Sequence, residues 1–69
     1  MNTSQKAQTL EMLPSMKKIN AIECSIQFNK TYQVRIDWHE FSSYLDELKN
    51  KGILKVTNPG GMTQYALNN

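Results

Sequence analysis

Apolar residues recur three and four positions apart through the first fifty residues and two positions apart near the end, so the pattern predicts helices followed by a small hairpin. A first helix is expected from about Ser4 to Leu13, with Thr3 or Ser4 as its cap and Leu10 and Leu13 on one face. Pro14 ends it, because the residue before a proline is pushed out of the helical region. Ser15 offers a second start signal, and Met16, Ile19, Ile22 and Ile26 follow at spacings of three, three and four, predicting an amphipathic helix from Ser15 to Ile26. The next stretch has two readings. Cys24, Ile26 and Phe28 alternate with polar residues, as do Tyr32, Val34, Ile36 and Trp38, so a hairpin over residues 24–38 would give an α+β domain with a four-stranded surface. The preferred reading is helix through Ile26, a turn, and a short extended piece from Tyr32 to Ile36.

The third helix is the best specified, running from Asp37 to Lys51. Trp38, Phe41, Leu45 and Leu48 form one apolar stripe, spaced three, four and three. Asp37 stands at the N-cap position, with Glu40 three residues later as its capping-box partner, and Lys49 and Lys51 complement the other end of the helix dipole. Gly52 can take the left-handed conformation that closes a helix. Beyond Ile53 the period changes to two: Leu54 and Val56 share a face, Tyr65 and Leu67 match them on a return strand, and Asn58-Pro59-Gly60-Gly61 supplies the turn. Asn68 and Asn69 are expected to fray.

The segment Leu45-Asp46-Glu47-Leu48-Lys49-Asn50-Lys51-Gly52-Ile53-Leu54-Lys55, followed by Gly60-Gly61-Met62-Thr63-Gln64-Tyr65-Ala66-Leu67, resembles the recognition helix and wing of winged helix-turn-helix proteins. In that family a leucine-rich helix ends in a lysine-glycine-aliphatic step before the wing. The resemblance covers residues 37–67 and implies a mainly α fold of three helices plus a C-terminal two-stranded wing, forming a single domain over residues 1–69. It also implies binding of double-stranded DNA, with the third helix in the major groove and no catalysis. Wings of this family often carry arginine or lysine at the tip. Here the tip, Asn58 to Met62, is uncharged.

Size and charge narrow the picture. A chain of 69 residues buries only about 60% of the surface its unfolded form exposes, so every apolar side chain matters. Its single cysteine, Cys24, excludes an intramolecular disulfide and is expected to act as a small buried hydrophobe; one histidine, His39, leaves no set with zinc spacing. No cofactor or metal is expected. Without a spanning apolar run or a signal-like N-terminus, the expectation is a cytoplasmic protein with no membrane partner. The net charge is only +2, and its distribution is uneven. Residues 1–36 hold Lys6, Lys17, Lys18, Lys30 and Arg35 against Glu11 and Glu23, a balance of +3, whereas residues 37–69 hold Lys49, Lys51 and Lys55 against Asp37, Glu40, Asp46 and Glu47, a balance of −1.

Two surfaces therefore compete. His39, Ser42 and Ser43 lie near the end of the third helix that would enter a groove, where they can bond base edges or phosphates. Lys17 and Lys18 at the start of the second helix, Lys30, Arg35, and Lys49, Lys51 and Lys55 at the base of the wing would add phosphate contacts around them. With these residues the winged-helix resemblance implies a transcriptional regulator or accessory DNA-binding factor of a bacterium, phage or other mobile element, expected to act as a homodimer through Leu10, Met12 and Leu13 of the first helix. The alternative is a protein-interaction module, an inhibitor or adaptor of a nucleic-acid-handling machine, that offers the acidic residues Glu40, Asp46 and Glu47 to a basic partner. Trp38, Phe41, Tyr44 and Tyr65 are expected in the core rather than on a stacking platform. A lone histidine without a nucleophile or metal beside it does not make a catalytic site.

Overall fold

Asn2 starts the first helix, α1 (Thr3–Met12), through a reciprocal capping box in which the Gln5 N–H donates to Asn2 Oδ1 at 2.8 Å and the Asn2 N–H donates to Gln5 Oε1 at 3.0 Å. The cap is thus one residue before the expected Thr3 or Ser4. In this computed structural model, which describes residues 1–68, Pro14 does not break the chain direction at once. It sits at the start of a 3-10 turn, Leu13–Ser15, that carries Leu13 fully into the core.

The second helix, α2 (Ala21–Tyr32), starts six residues later than its apolar stripe predicts and runs six residues further. Asn20 supplies the cap, accepting from the Glu23 N–H at 2.8 Å, while Ile19 stays extended. The buried face of α2 is Ala21, Cys24, Ser25 and Phe28, and Ile26 is 58% exposed. A hairpin over residues 24–38 is therefore excluded. Gln33 ends the helix in the left-handed conformation at φ 54°, so Tyr32 is helical and only the residues after Gln33 form the connector. Asn29 holds that connector: its Nδ2 donates to the Ile36 carbonyl and its Oδ1 accepts from the Ile36 N–H, both at 3.0 Å.

The third helix, α3 (Trp38–Asn50), has the expected extent. Asp37 caps it by accepting from the His39 N–H at 2.8 Å, but Glu40 does not complete a capping box, because its carboxylate pairs with the Met1 amino group. The exit is a Schellman turn at Gly52 (φ 80°), in which the Gly52 N–H donates to Lys49 O at 3.0 Å and the Ile53 N–H to Leu48 O at 2.9 Å. Two antiparallel strands follow, β1 (Leu54–Asn58) and β2 (Gln64–Leu67), with Leu54 opposite Leu67, Val56 opposite Tyr65, and an irregularity between Val56 and Asn58. Asn68 is tied back, its N–H donating to Ile53 O at 2.9 Å, so it does not fray; Asn69 lies outside the described residues.

Three helices with a C-terminal two-stranded hairpin give the mainly α, winged-helix-like arrangement. Its core is one cluster of Leu13, Ile19, Ala21, Cys24, Phe28, Phe41, Tyr44, Leu45, Leu48 and Leu54, drawn from every element except α1 and β2. Phe28 lies at the centre, fully buried, with its ring 4.5 Å from that of Tyr32 and 5.4 Å from that of Phe41. The inner stripe of α3 is thus Phe41, Tyr44, Leu45 and Leu48, at spacings of three, one and three. Trp38, expected at its head, instead stands 40% exposed.

Candidate nucleic-acid interface

Ile19 carries the geometry that assembles the candidate surface. Its carbonyl accepts from the Tyr65 N–H at 2.8 Å, an antiparallel bridge that lays the segment before α2 against the wing. The neighbouring Asn20 reinforces it, donating from Nδ2 to Gln64 Oε1 at 3.2 Å. Lys17 and Lys18 therefore lie in a bent segment ahead of α2, not in its first turn. With Ile19, Thr57, Asn58, Gln64 and Tyr65 they line an open groove of about 390 Å³.

A second, smaller cleft of about 110 Å³ adjoins the first at Tyr65. Its walls are Ala21 from α2, Trp38 and Ser42 from α3, and Gly61, Met62, Thr63 and Tyr65 from the wing. Trp38 projects here because, as the first residue after the Asp37 cap, it precedes the buried stripe by a full turn. Its indole stacks on the His39 imidazole with ring centroids 3.8 Å apart and planes 28° from parallel. His39 is further anchored by Nδ1, 2.7 Å from Asp37 Oδ1. These two hydrogen bonds from His39, backbone first and ring second, hold the Asp37 carboxyl below its usual range.

The carboxylates of α3 have partners within the chain. Glu40 pairs with the Met1 amino group, Asp46 with Lys49 at 3.1 Å, and Glu47 with both Lys51 at 3.3 Å and Lys6 at 3.4 Å. Lys6 also lies over the Tyr44 ring, 5.6 Å from its centroid. Hydrogen bonding from Lys51, then from Lys6, holds the Glu47 carboxyl below its usual range. Glu40, Ser43 and Glu47 flank a groove against Met1 and Lys6 of the N-terminal segment, whereas Ser42 faces the wing.

The predicted residues thus separate into groups. Lys17, Lys18 and Ser42 line grooves that meet at Tyr65 and the wing, His39 lies outside both, stacked on Trp38, and Ser43 turns toward α1. Lys49 and Lys51 are engaged with Asp46 and Glu47. Lys30 near the end of α2, Arg35 in the connector and Lys55 on β1 are exposed, and no carboxylate among the described residues is ion-paired with any of these three, nor with Lys17 or Lys18. Sequence reasoning missed Trp38, Met62 and Gln64 as groups of this surface, and the buried Asn20 that ties its segment to Gln64. The signal for Trp38 was present: Phe41, Tyr44, Leu45 and Leu48 make a complete helical face without it.

Among the described residues no helix is long and apolar enough to cross a membrane. Comparison with family models, curated proteins and solved structures finds no match to this chain.

Proposed function

We propose that the protein is a small winged-helix DNA-binding factor, of the regulatory or accessory type used by bacteria and their mobile elements, which sets the exposed side of α3 in the major groove and its wing alongside. The observation that carries this reading is the pair Lys17 and Lys18, without ion-pair partners among the described residues and set against the wing in a groove that shares Tyr65 with the cleft holding Trp38 and Ser42 of α3. Lysines in that position supply phosphate contacts that fix register, and Trp38, His39 and Ser42 supply the side chains that meet base edges. Trp38 is suited to the apolar methyl of thymine, and Ser42 to either donors or acceptors.

The internal pairing of Glu40, Asp46 and Glu47 weakens the competing adaptor reading, because each carboxylate already has a cation beside it. It equally removes the main electrostatic objection to DNA, since Glu40 and Glu47 point along the α1 side of α3. No catalytic step is proposed.

Mobility shift with random duplex DNA at about 50 and 200 mM salt tests the reading, since each neutralised phosphate adds roughly 0.9 to the steepness of the log–log salt dependence. Lys17→Gln with Lys18→Gln is expected to flatten that slope by about 2 units and to weaken binding across all sequences. Absence of any complex at the lower salt, or a slope unchanged by the double substitution, overturns it.

A further inference from the structure

The apolar stripe of α2 is not consumed by the fold. Ile22 is half-buried and Ile26 is 58% exposed, the most exposed of the large hydrophobic residues, one turn apart on the outer face of the helix. Two charges flank them on the same face: Glu23, three residues before Ile26, and Lys30, four after it. Both are exposed, and neither is ion-paired among the described residues. At a separation of seven residues they are too far apart along the helix to pair with one another, about 10 Å at 1.5 Å per residue.

This order of residues is self-complementary under a two-fold rotation. When two copies of α2 pack antiparallel about a point next to Ile26, Glu23 of each copy meets Lys30 of the other, and the two Ile26 side chains meet at the centre. We propose that this face of α2 is the contact between two copies of the chain, an isologous dimer centred on Ile26 with two symmetry-related Glu23–Lys30 pairs. The first helix is less suited to that role, because Leu13 is fully buried in its own core and Leu10 and Met12 pack against the same cluster. A contact made by one short helix per copy falls below the roughly 1,200 Å² of a standard stable complex, so the association is weak, with a dissociation constant on the order of 10–100 μM. The contact borders the proposed DNA surface, since Glu23 lines a groove with Lys17 and Lys18, but association without nucleic acid is measured apart from DNA binding.

Sedimentation equilibrium of the full chain without nucleic acid, from about 10 μM to 1 mM, tests it. Concentration-dependent dimerisation is expected for the parent chain. Glu23→Lys and Lys30→Glu, each placing like charges face to face twice, are expected to weaken it roughly tenfold. The doubly exchanged variant, Glu23→Lys with Lys30→Glu, recreates both attractive pairs and is expected to recover the parent constant. Ile26→Ser is expected to leave a monomer with an unchanged helical circular dichroism spectrum, since that side chain contributes nothing to the core. A parent chain monomeric throughout the range, or charge variants that weaken association without recovery in the double exchange, overturns the proposal.

Discussion

The Tyr65 N–H donates to the Ile19 carbonyl at 2.8 Å, and this single bridge joins the segment before α2 to a strand more than forty residues later. It turns a two-stranded hairpin into a three-segment edge and fixes the position of Lys17 and Lys18 relative to the wing. Burial of the Tyr65 ring pushes its hydroxyl pKa up, and the nearby Asp46 charge adds to the effect.

The connector between α2 and α3 depends on one carboxamide. Asn29→Ala removes both bonds to Ile36 and leaves its N–H and carbonyl without protein partners, at a cost of about 1–2 kcal/mol. In a domain of this size that lowers the melting temperature by roughly 5–10 °C. Thermal unfolding followed by circular dichroism checks this, together with faster amide exchange at Ile36.

At Gly52 the cost of a side chain is purely conformational, because a Cβ there meets nothing within 4 Å while φ is 80°. Gly52→Ala is expected to destabilise the protein by about 1 kcal/mol and Gly52→Asn by less, since asparagine tolerates the left-handed region. Urea midpoints at unchanged m-value provide the comparison. Equal losses for both variants would mean that the residue acts through something other than its backbone angle.

Acid is expected to weaken the fold through Asp37 and Glu47. The folded state holds both carboxyls below their ordinary values, Asp37 through the His39 N–H and Glu47 through Lys51. Their stabilisation is therefore complete above the unfolded values of about 4 and is lost as pH falls through the lower folded values. Urea unfolding from pH 6 to pH 2, pH values on the order used for carboxylate titrations, should show a declining midpoint below about pH 4, with a shallower decline in Asp37→Asn and Glu47→Gln.

Cys24 should be inert in the native protein. Burial, followed by the Glu23 charge, pushes its thiol up to about 12. At mildly alkaline pH the folded chain then holds roughly a thousandfold less thiolate than an unfolded one. Alkylation is expected to be slow in buffer and rapid in denaturant; equal rates would show that the α2 face lining the core opens freely.

Much of this architecture was legible in the residues because it is local. Asp37, the Phe41–Leu45–Leu48 spacing and Gly52 specify α3 and its exit through short-range chemistry, and the Asn58–Gly61 turn with alternation on either side specifies the wing. The second helix was not legible for the opposite reason. Met16, Ile19, Ile22 and Ile26 keep a helical spacing across two different elements, and what separates them is a strand bridge to Tyr65 and a cap at Asn20, neither of which Ser15 or the stripe reveals. The candidate surface shared that difficulty. Ser42, Lys17 and Lys18 could be selected by residue type, but their convergence on Tyr65 depends on the long-range Ile19–Tyr65 contact, and the spacing of Trp38 suits the core equally well.

Amide chemical-shift mapping during titration with a short duplex DNA is the most direct test of the proposed interface. The account predicts the largest changes at Lys17, Lys18, Trp38, His39, Ser42 and the Gly61–Thr63 loop, with the Trp38 indole N–H moving among them. Changes confined to α1 and the Glu40–Glu47 side of α3, or a spectrum that does not respond to DNA at low salt, would contradict it.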